Sequence, residues 1–290
     1  MGVKVENITH IYAEGLPDES IAIQDVSFEI FDGEFVGIIG HTGSGKSTLL
    51  QHLNGLLKPK TGKVYIDDVE ITTSKAELKK VRKKIGMVFQ YPEYQLFEDT
   101  VSADVAFGPK NLGLDEEEIQ KRVRKGIELV GLDYESVADK SPFELSGGQK
   151  RRAAIAGVVA MEPKVLILDE PTAGLDPKAH KDILDMIISI HEQHADNITI
   201  LVSHNMRDIA KLCSKVLVMN KGQLVMMGTP KEIFSRYDEL TKMGLAVPPV
   251  AEFMHKLADG GLDFDEIPLT IEDAAEMLAV HLKNKQNKEI

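Results

Sequence analysis

The chain is 290 residues long, which at about 150 residues per domain allows one sizeable core plus an appendage. Hydrophobic residues make up 43% and charged residues 28%, ordinary globular usage that argues against disorder. Lys and Arg number 34 against 46 Asp and Glu, a net charge of −12, which argues against a nucleic-acid binder working through a broad basic face but leaves room for a small positive anion site.

The lone cysteine, Cys213, permits no intrachain disulfide and fits a reducing compartment. Met1 to Glu6 lacks the basic start and apolar run of a signal peptide. The longest apolar stretch, Ala153 to Met161, is far short of the roughly 20 residues of a membrane span. The expectation is a soluble protein that reaches any membrane through a partner.

In chain order, Val3, Val5, Ile21, Ile23, Val26, Phe28 and Ile30 alternate with polar residues and predict antiparallel strands. Glu34 to Gly40 reads as an apolar strand entering a Gly-rich turn, and Lys46 to Leu57 as a helix with Leu49, Leu50, Leu53 and Leu57 on one face. Ile85–Gln90, Val165–Asp169, Ile198–Ser203 and Val216–Met219 are continuous apolar runs suited to a parallel sheet covered on both faces. Asp104–Leu112 and Glu116–Val130 predict a helical insert, spanning about 93–160, within an α/β core. Ser74 to Glu77 and Thr229 to Glu232 are capping boxes, and Asp176-Pro177 is a cap followed by proline.

Composition shifts after Arg236. The expected division is a domain over 1–236 and a helical extension over 237–290, with a linker at Gly244 to Val250. Thr270 to Asp273 caps a last helix whose Ile271, Ala275, Leu278 and Leu282 form an apolar stripe. That stripe either packs on its own domain or meets another subunit.

Three stretches carry chemistry. Gly40, His41, Thr42, Gly43, Ser44, Gly45, Lys46 and Ser47 match G-x-x-x-x-G-K-[ST], and Thr48 follows. The glycines let backbone N–H groups curl round a phosphate, and the following helix adds the positive end of its dipole. Lys46 is placed to reach β- and γ-phosphates, and the Ser47 hydroxyl to ligate Mg²⁺. Val165 to Glu170 is an apolar strand ending in two acids: Asp169 suits the Mg²⁺ shell, and Glu170 suits a base for attacking water. Leu145 to Gln149 is the third. Ser146, Gly147, Gly148 and Gln149 read both as a capped helix start and as a bare anion-facing turn, with Arg151 and Arg152 following.

With Gln90, Gly174-Leu-Asp176 and His204, these motifs occur in the order of the ATP-binding-cassette ATPases, which the chain resembles over residues 1–235. The resemblance implies a P-loop α/β fold with a parallel-core sheet, an antiparallel β subdomain and a helical insert. It implies head-to-tail pairing of two cassettes around two ATPs, each held between the P-loop of one and the LSGGQ of the other. Carried over by position, Gln90 ligates Mg²⁺, His204 bonds the γ-phosphate, Asp176 shapes the dimer contact and Tyr12 stacks on adenine. Tyr12 also reads as a core tyrosine, and Cys213 as an inert core thiol.

The finer resemblance is to the second ATPase subunit of energy-coupling-factor transporters, on His52 to Leu57, Tyr91 to Phe97, Asp104 to Pro109 and the loop Ala13 to Ser20. It implies a peripheral subunit on the cytoplasmic face of the cell membrane. Its partners would be a paralogous ATPase, a transmembrane coupling protein and, indirectly, a substrate-binding membrane subunit, with no nucleic acid. The work implied is import of vitamins or similar micronutrients. Tyr94, Leu96, Phe97, Val105 and Phe107 then read either as the coupling-protein contact or as local core. A cobalt or nickel importer, a soluble cassette ATPase and a P-loop kinase are the other readings; LSGGQ has no task in the last.

Overall fold

The computed structural model describes residues 2–71, 78, 81–262, 264 and 266–286. Two sheets carry the architecture. A four-stranded antiparallel sheet has the order β2-β1-β4-β5, with β1 Val3–Tyr12, β2 Ser20–Ile30, β4 Thr61–Ile66 and β5 Val69–Glu70. A six-stranded sheet has the order β10-β9-β3-β8-β7-β6. Its members are β3 Phe35–Ile39, β6 Ile85–Val88, β7 Val165–Asp169, β8 Ile198–Val202, β9 Lys215–Asn220 and β10 Gln223–Gly228. All pairings among them are parallel except β9 with β10. This is the predicted parallel core with its antiparallel subdomain.

The central sheet is apolar on both faces because each face is covered. Along β7, Val165 and Ile167 join one core cluster with Val5, Phe28, Leu49 and Leu53, from the antiparallel sheet and helix α1 (Lys46–Leu53). Leu166 and Leu168 join the opposite cluster with Val105, Val123, Ile155 and Ile187. Period-two alternation along one strand therefore feeds two cores. Burying each such Leu or Ile fully stabilises the fold by about 1.5–3 kcal/mol.

The second face is covered by α2 (Val101–Leu112), α3 (Glu116–Leu129), the short α4 (Tyr134–Val137), α5 (Gly147–Val159) and α6 (Pro177–His191). Thr100 and Asp115 cap α2 and α3 by accepting from Ala103 N and Glu118 N. Helix α1 ends at Leu53, four residues short of the predicted Leu57, because Gly55 takes a left-handed φ of 69°. The Thr229 capping box opens α8 (Pro230–Phe234), after α7 (Met206–Leu212). The Ser74 box lies outside the described residues.

The C-terminal part differs from its sequence pattern. Gly244 to Val250 is not a free linker, because Leu245 and Val247 are buried in the same cluster as Phe234 and Leu240. Leu240 belongs to α9 (Tyr237–Lys242), and Pro249 is the first residue of α10 (Pro249–Asp259). In the last helix, α11 (Ile271–Gln286), Thr270 Oγ1 accepts from Asp273 N as expected. Ile271 and Ala275 are nevertheless exposed, and Ala274 is the buried residue. Leu278 is half-buried, and the side chain of Leu282 lies outside the described residues. Among the described residues no helix is long and apolar enough to cross a membrane. Cys213 is buried, and burial pushes its thiol far up.

Candidate functional site

Parallel strands end side by side, so whatever follows their carboxyl ends is brought together. Here β3 delivers the loop 40–45, β8 delivers Ser203 and His204, β7 delivers Asp169 and Glu170, and β6 leads to Gln90. The order β3-β8-β7-β6 puts these four ends in a row.

The loop between β3 and α1 has the form of an anion cradle. Gly45 holds φ 100°, and a Cβ there would meet Ala22 O at 2.6 Å, so only glycine fits this turn. Ser44 is fully buried, and its Oγ has no hydrogen-bond partner. Lys46 Nζ donates to Gly40 O at 2.6 Å and to His41 O at 3.0 Å. Burial lowers the Lys46 pKa, while the Glu170 and Asp169 charges pull it up. His41 Nε2 lies 3.1 Å from Asn220 Oδ1, tying the loop to the end of β9. Thr42, Gly43 and Ser47 are exposed, and Thr48 is buried. Tyr12 is 41% exposed and its hydroxyl lies 3.3 Å from Thr48 Oγ1, so it is not a core tyrosine.

The two acids differ in environment. Asp169 ends β7 in register with Val202, and burial raises its pKa against the opposing pull of Lys46 and His204. Glu170 takes φ 50°, a left-handed conformation that turns its side chain away from the strand's alternation. Strain of this kind concentrates at functional sites. Glu170 N still donates to Val202 O at 3.0 Å. Its Oε2 accepts from His204 N at 3.4 Å, and its Oε1 lies 3.4 Å from His204 Nε2 without hydrogen-bond geometry. Burial raises the Glu170 pKa, as does the Asp169 charge, while His204 and Lys46 oppose. A raised carboxyl beside an imidazole is poised for proton transfer.

Ser47, Gln90 and Asp169 offer hydroxyl, amide and carboxylate oxygens, the hard donors Mg²⁺ prefers. Among the described residues no cluster of three His, Cys, Asp or Glu is placed to hold a metal by itself. The donor set fits an ion shared with phosphate oxygens, and the buried Ser44 Oγ in the loop before α1 has no hydrogen-bond partner of its own.

Ser146 caps α5 in a full capping box, with Ser146 Oγ accepting from Gln149 N and Gln149 Oε1 accepting from Ser146 N. Ser146, Gly147, Gly148 and Gln149 are all exposed. Among the described residues no hydrogen bond or ion pair joins them to residues 40–48.

Arg151 and Arg152, which follow Gln149 on α5, are engaged within the chain itself. Arg151 is 3% exposed and grips Glu93 with two bonds, Nε to Oε2 at 3.0 Å and Nη2 to Oε1 at 2.9 Å. Its Nη1 donates to Pro171 O and Ala173 O, at 3.3 and 2.8 Å. The Tyr91 ring lies 5.8 Å from its guanidinium. Arg152 instead donates to Val130 O. Arg151 thus binds the segment after Gln90, the signature helix and the turn between Glu170 and Asp176 into one unit. Sequence reasoning missed this role, and no spacing rule pairs residues 58 apart. Asp176 caps α6, accepting from Lys178 N and Ala179 N.

The comparisons decide the family. Residues 23–173 match the ABC transporter family model. The chain is 56% identical over 286 residues to the energy-coupling factor transporter ATP-binding protein EcfA2 of Clostridium tetani, covering 98% of this chain and 99% of the relative. It is 57% identical over 278 residues to the protein of that name in Clostridioides difficile, covering 95% and 96%. The chain belongs to the ABC transporter ATPases, in the energy-coupling factor branch.

Among solved structures, cbiO1 of Clostridium perfringens, part of the ABC transporter complex cbiONQ, matches with TM-score 0.72 and 40% identity over 87% of this chain and 98% of its own. A dimeric cassette in a post-hydrolysis state bound to ADP and Pi matches with TM-score 0.69 and 31% identity over 79% and 98%. The cassette is an ATPase whose hydrolysis is coupled to transport. It is the ATPase subunit of an energy-coupling factor transporter, and these relatives favour neither a soluble cassette nor a cobalt or nickel importer.

Proposed function

We propose that the cassette pairs head to tail with a paralogous ATPase subunit, and that the pair drives a transmembrane coupling protein from the cytoplasmic face of the membrane to import vitamins or similar micronutrients. The reading keeps 1–236 as the ATPase domain and 237–290 as a helical extension. Lys46 and the loop 40–45 would hold the phosphates, Tyr12 would stack on adenine, and Ser47, Gln90 and Asp169 would hold Mg²⁺. That ion supplies neutralisation of charge on the phosphate oxygens. Glu170 would take the proton of the attacking water, and His204 would donate to the γ-phosphate. Ser146, Gly147, Gly148 and Gln149 would close over the partner's ATP, with Asp176 shaping the contact.

The observation that carries this reading is the start of α5. A Cβ on Gly147 or Gly148 would meet nothing within 4 Å, and neither residue has a positive φ. The chain's own packing therefore gives no reason for glycine at either position, whereas an anion approaching bare N–H groups does. The dimeric relative bound to ADP and Pi supports the pairing.

The coupling-protein contact would lie beside Gln90. Tyr94 is 85% exposed, and Phe97 and Phe107, 59% and 47% exposed, line an open groove of about 850 Å³ between α2, α5 and the turn after β6. Val105 is not part of it, being fully buried, and Leu96 packs partly on the core. The decisive experiment is Glu170→Gln in the assembled complex. ATP binding should persist while turnover falls at least about a hundredfold, the usual worth of a positioned base; near-normal turnover removes Glu170 as the base.

A further inference from the structure

Two helices open directly after the segments expected to close the nucleotide cage. Helix α6 starts from its cap Asp176, and His180 lies in its first turn, with His180 N donating to Asp176 O at 2.9 Å. Helix α7 starts from its cap Asn205, the residue after His204, and Asp208 lies in its first turn, with Asp208 N donating to Asn205 O at 3.1 Å. The side chains of His180 and Asp208 join these turns: His180 Nε2 lies 2.9 Å from Asp208 Oδ2. Asn205 Nδ2 lies 3.4 Å from the same imidazole nitrogen.

Asp208 is 6% exposed, and among the described residues His180 is the only hydrogen-bond partner of its side chain. The other groups acting on the carboxylate are Lys211 and Arg207 on its own helix, with Cys213 at the helix end. Burial raises the Asp208 pKa, and the His180 charge and hydrogen bond oppose that rise. A nearly buried carboxylate with one side-chain partner on another helix makes a stiff link, because releasing either end leaves an unsatisfied charge.

We propose that His180 is a positioning residue: its bond to Asp208 fixes the His204 turn relative to the Asp176 turn. This rests on the reading that His204 contacts the γ-phosphate. Neither His180 nor Asp208 touches nucleotide. They set the angle from which His204 meets Glu170, 3.4 Å away. Hydrolysis therefore depends on a donor at position 180 within reach of the buried Asp208 carboxylate.

The test uses the full-length chain purified with its partner chains, with kcat and KM for ATP hydrolysis and the melting temperature measured for each variant. His180→Ala should lower kcat about tenfold, the usual effect of losing one charge-assisted bond, with KM for ATP within about twofold. His180→Arg, which keeps a donor within reach of Asp208, should restore kcat to within about twofold of the parent. A merely structural histidine would lower the melting temperature of His180→Ala and leave the kcat of its folded fraction unchanged. The proposal is overturned if His180→Ala keeps kcat within about twofold of the parent, or if His180→Arg has a kcat no higher than that of His180→Ala. His204→Ala run alongside separates the two readings: full hydrolysis there sinks the γ-phosphate role itself, whatever His180 does.

Discussion

Replacing Arg151 by alanine removes a side chain that ties α5 to Glu93 and to the turn at Pro171 and Ala173. Its guanidinium is almost fully buried and satisfies both oxygens of Glu93 and the carbonyls of Pro171 and Ala173. Burial alone would push the Glu93 carboxyl up, but the Arg151 hydrogen bonds outweigh it and hold the group below the ordinary carboxylate range. Removing one partner of a buried pair costs about 3–5 kcal/mol. The Glu93 side chain keeps 19% exposure and regains some water, so the lower end applies, about 3 kcal/mol. For a chain of this size that lowers the melting temperature by about 5 °C.

The informative companion is Arg151→Met with Glu93→Leu. An apolar pair recovers most of the melting temperature, since it leaves no buried charge. It does not restore a donor to the Pro171 and Ala173 carbonyls, so hydrolysis in the assembled complex should stay low. Differential scanning fluorimetry and a phosphate-release assay read the two quantities separately. A melting temperature for Arg151→Ala within about 1 °C of the parent would refute the energetics. Full hydrolysis in the double variant would refute the positioning role.

Three further outcomes are expected. Gly148→Ala should leave the isolated chain's melting temperature unchanged or slightly raised, because its methyl meets nothing and alanine favours the helix, yet should depress turnover of the assembled pair; a drop in stability would show that the glycine serves its own chain. Glu170→Gln should melt about 2 °C higher near neutral pH, because it removes a buried negative charge beside Asp169; unchanged melting would mean that the charge costs the fold nothing. Burial lowers the His52 pKa, so below about pH 6.5 the unfolded chain takes up the proton before the folded one does, and stability falls as pH drops toward the folded value. His52→Leu should shrink that acid-side slope in denaturant titrations; an identical slope would show that His52 is not its source.

Much of the fold was legible because short-range rules suffice for it. The run Val165 to Asp169 became β7 with its predicted bounds, and the caps Asp176 and Thr229 open helices where their side chains accept from the first turn. Local rules failed where burial depended on distant residues. Gly244 to Val250 has the composition of a linker, but Leu245 and Val247 lie over a core assembled from residues far earlier in the chain. The stripe through Ile271 and Ala275 has helical period, yet α11 turns Ala274 inward instead, a choice made by what it rests on.

The residue types at the candidate site are a property of the sequence alone. A glycine loop before a helix, two acids after an apolar strand and a capped double glycine each state their chemistry within a few residues, because phosphate binding and helix capping use neighbouring backbone groups. Only the tertiary structure decided which of these stand together. Sheet order sets Glu170 beside His204, 34 positions away, and packing turns Arg151 inward to Glu93, 58 positions away. Electrostatic and hydrogen-bond partners are chosen by distance in space, and separation along a folded chain carries almost no information about that distance.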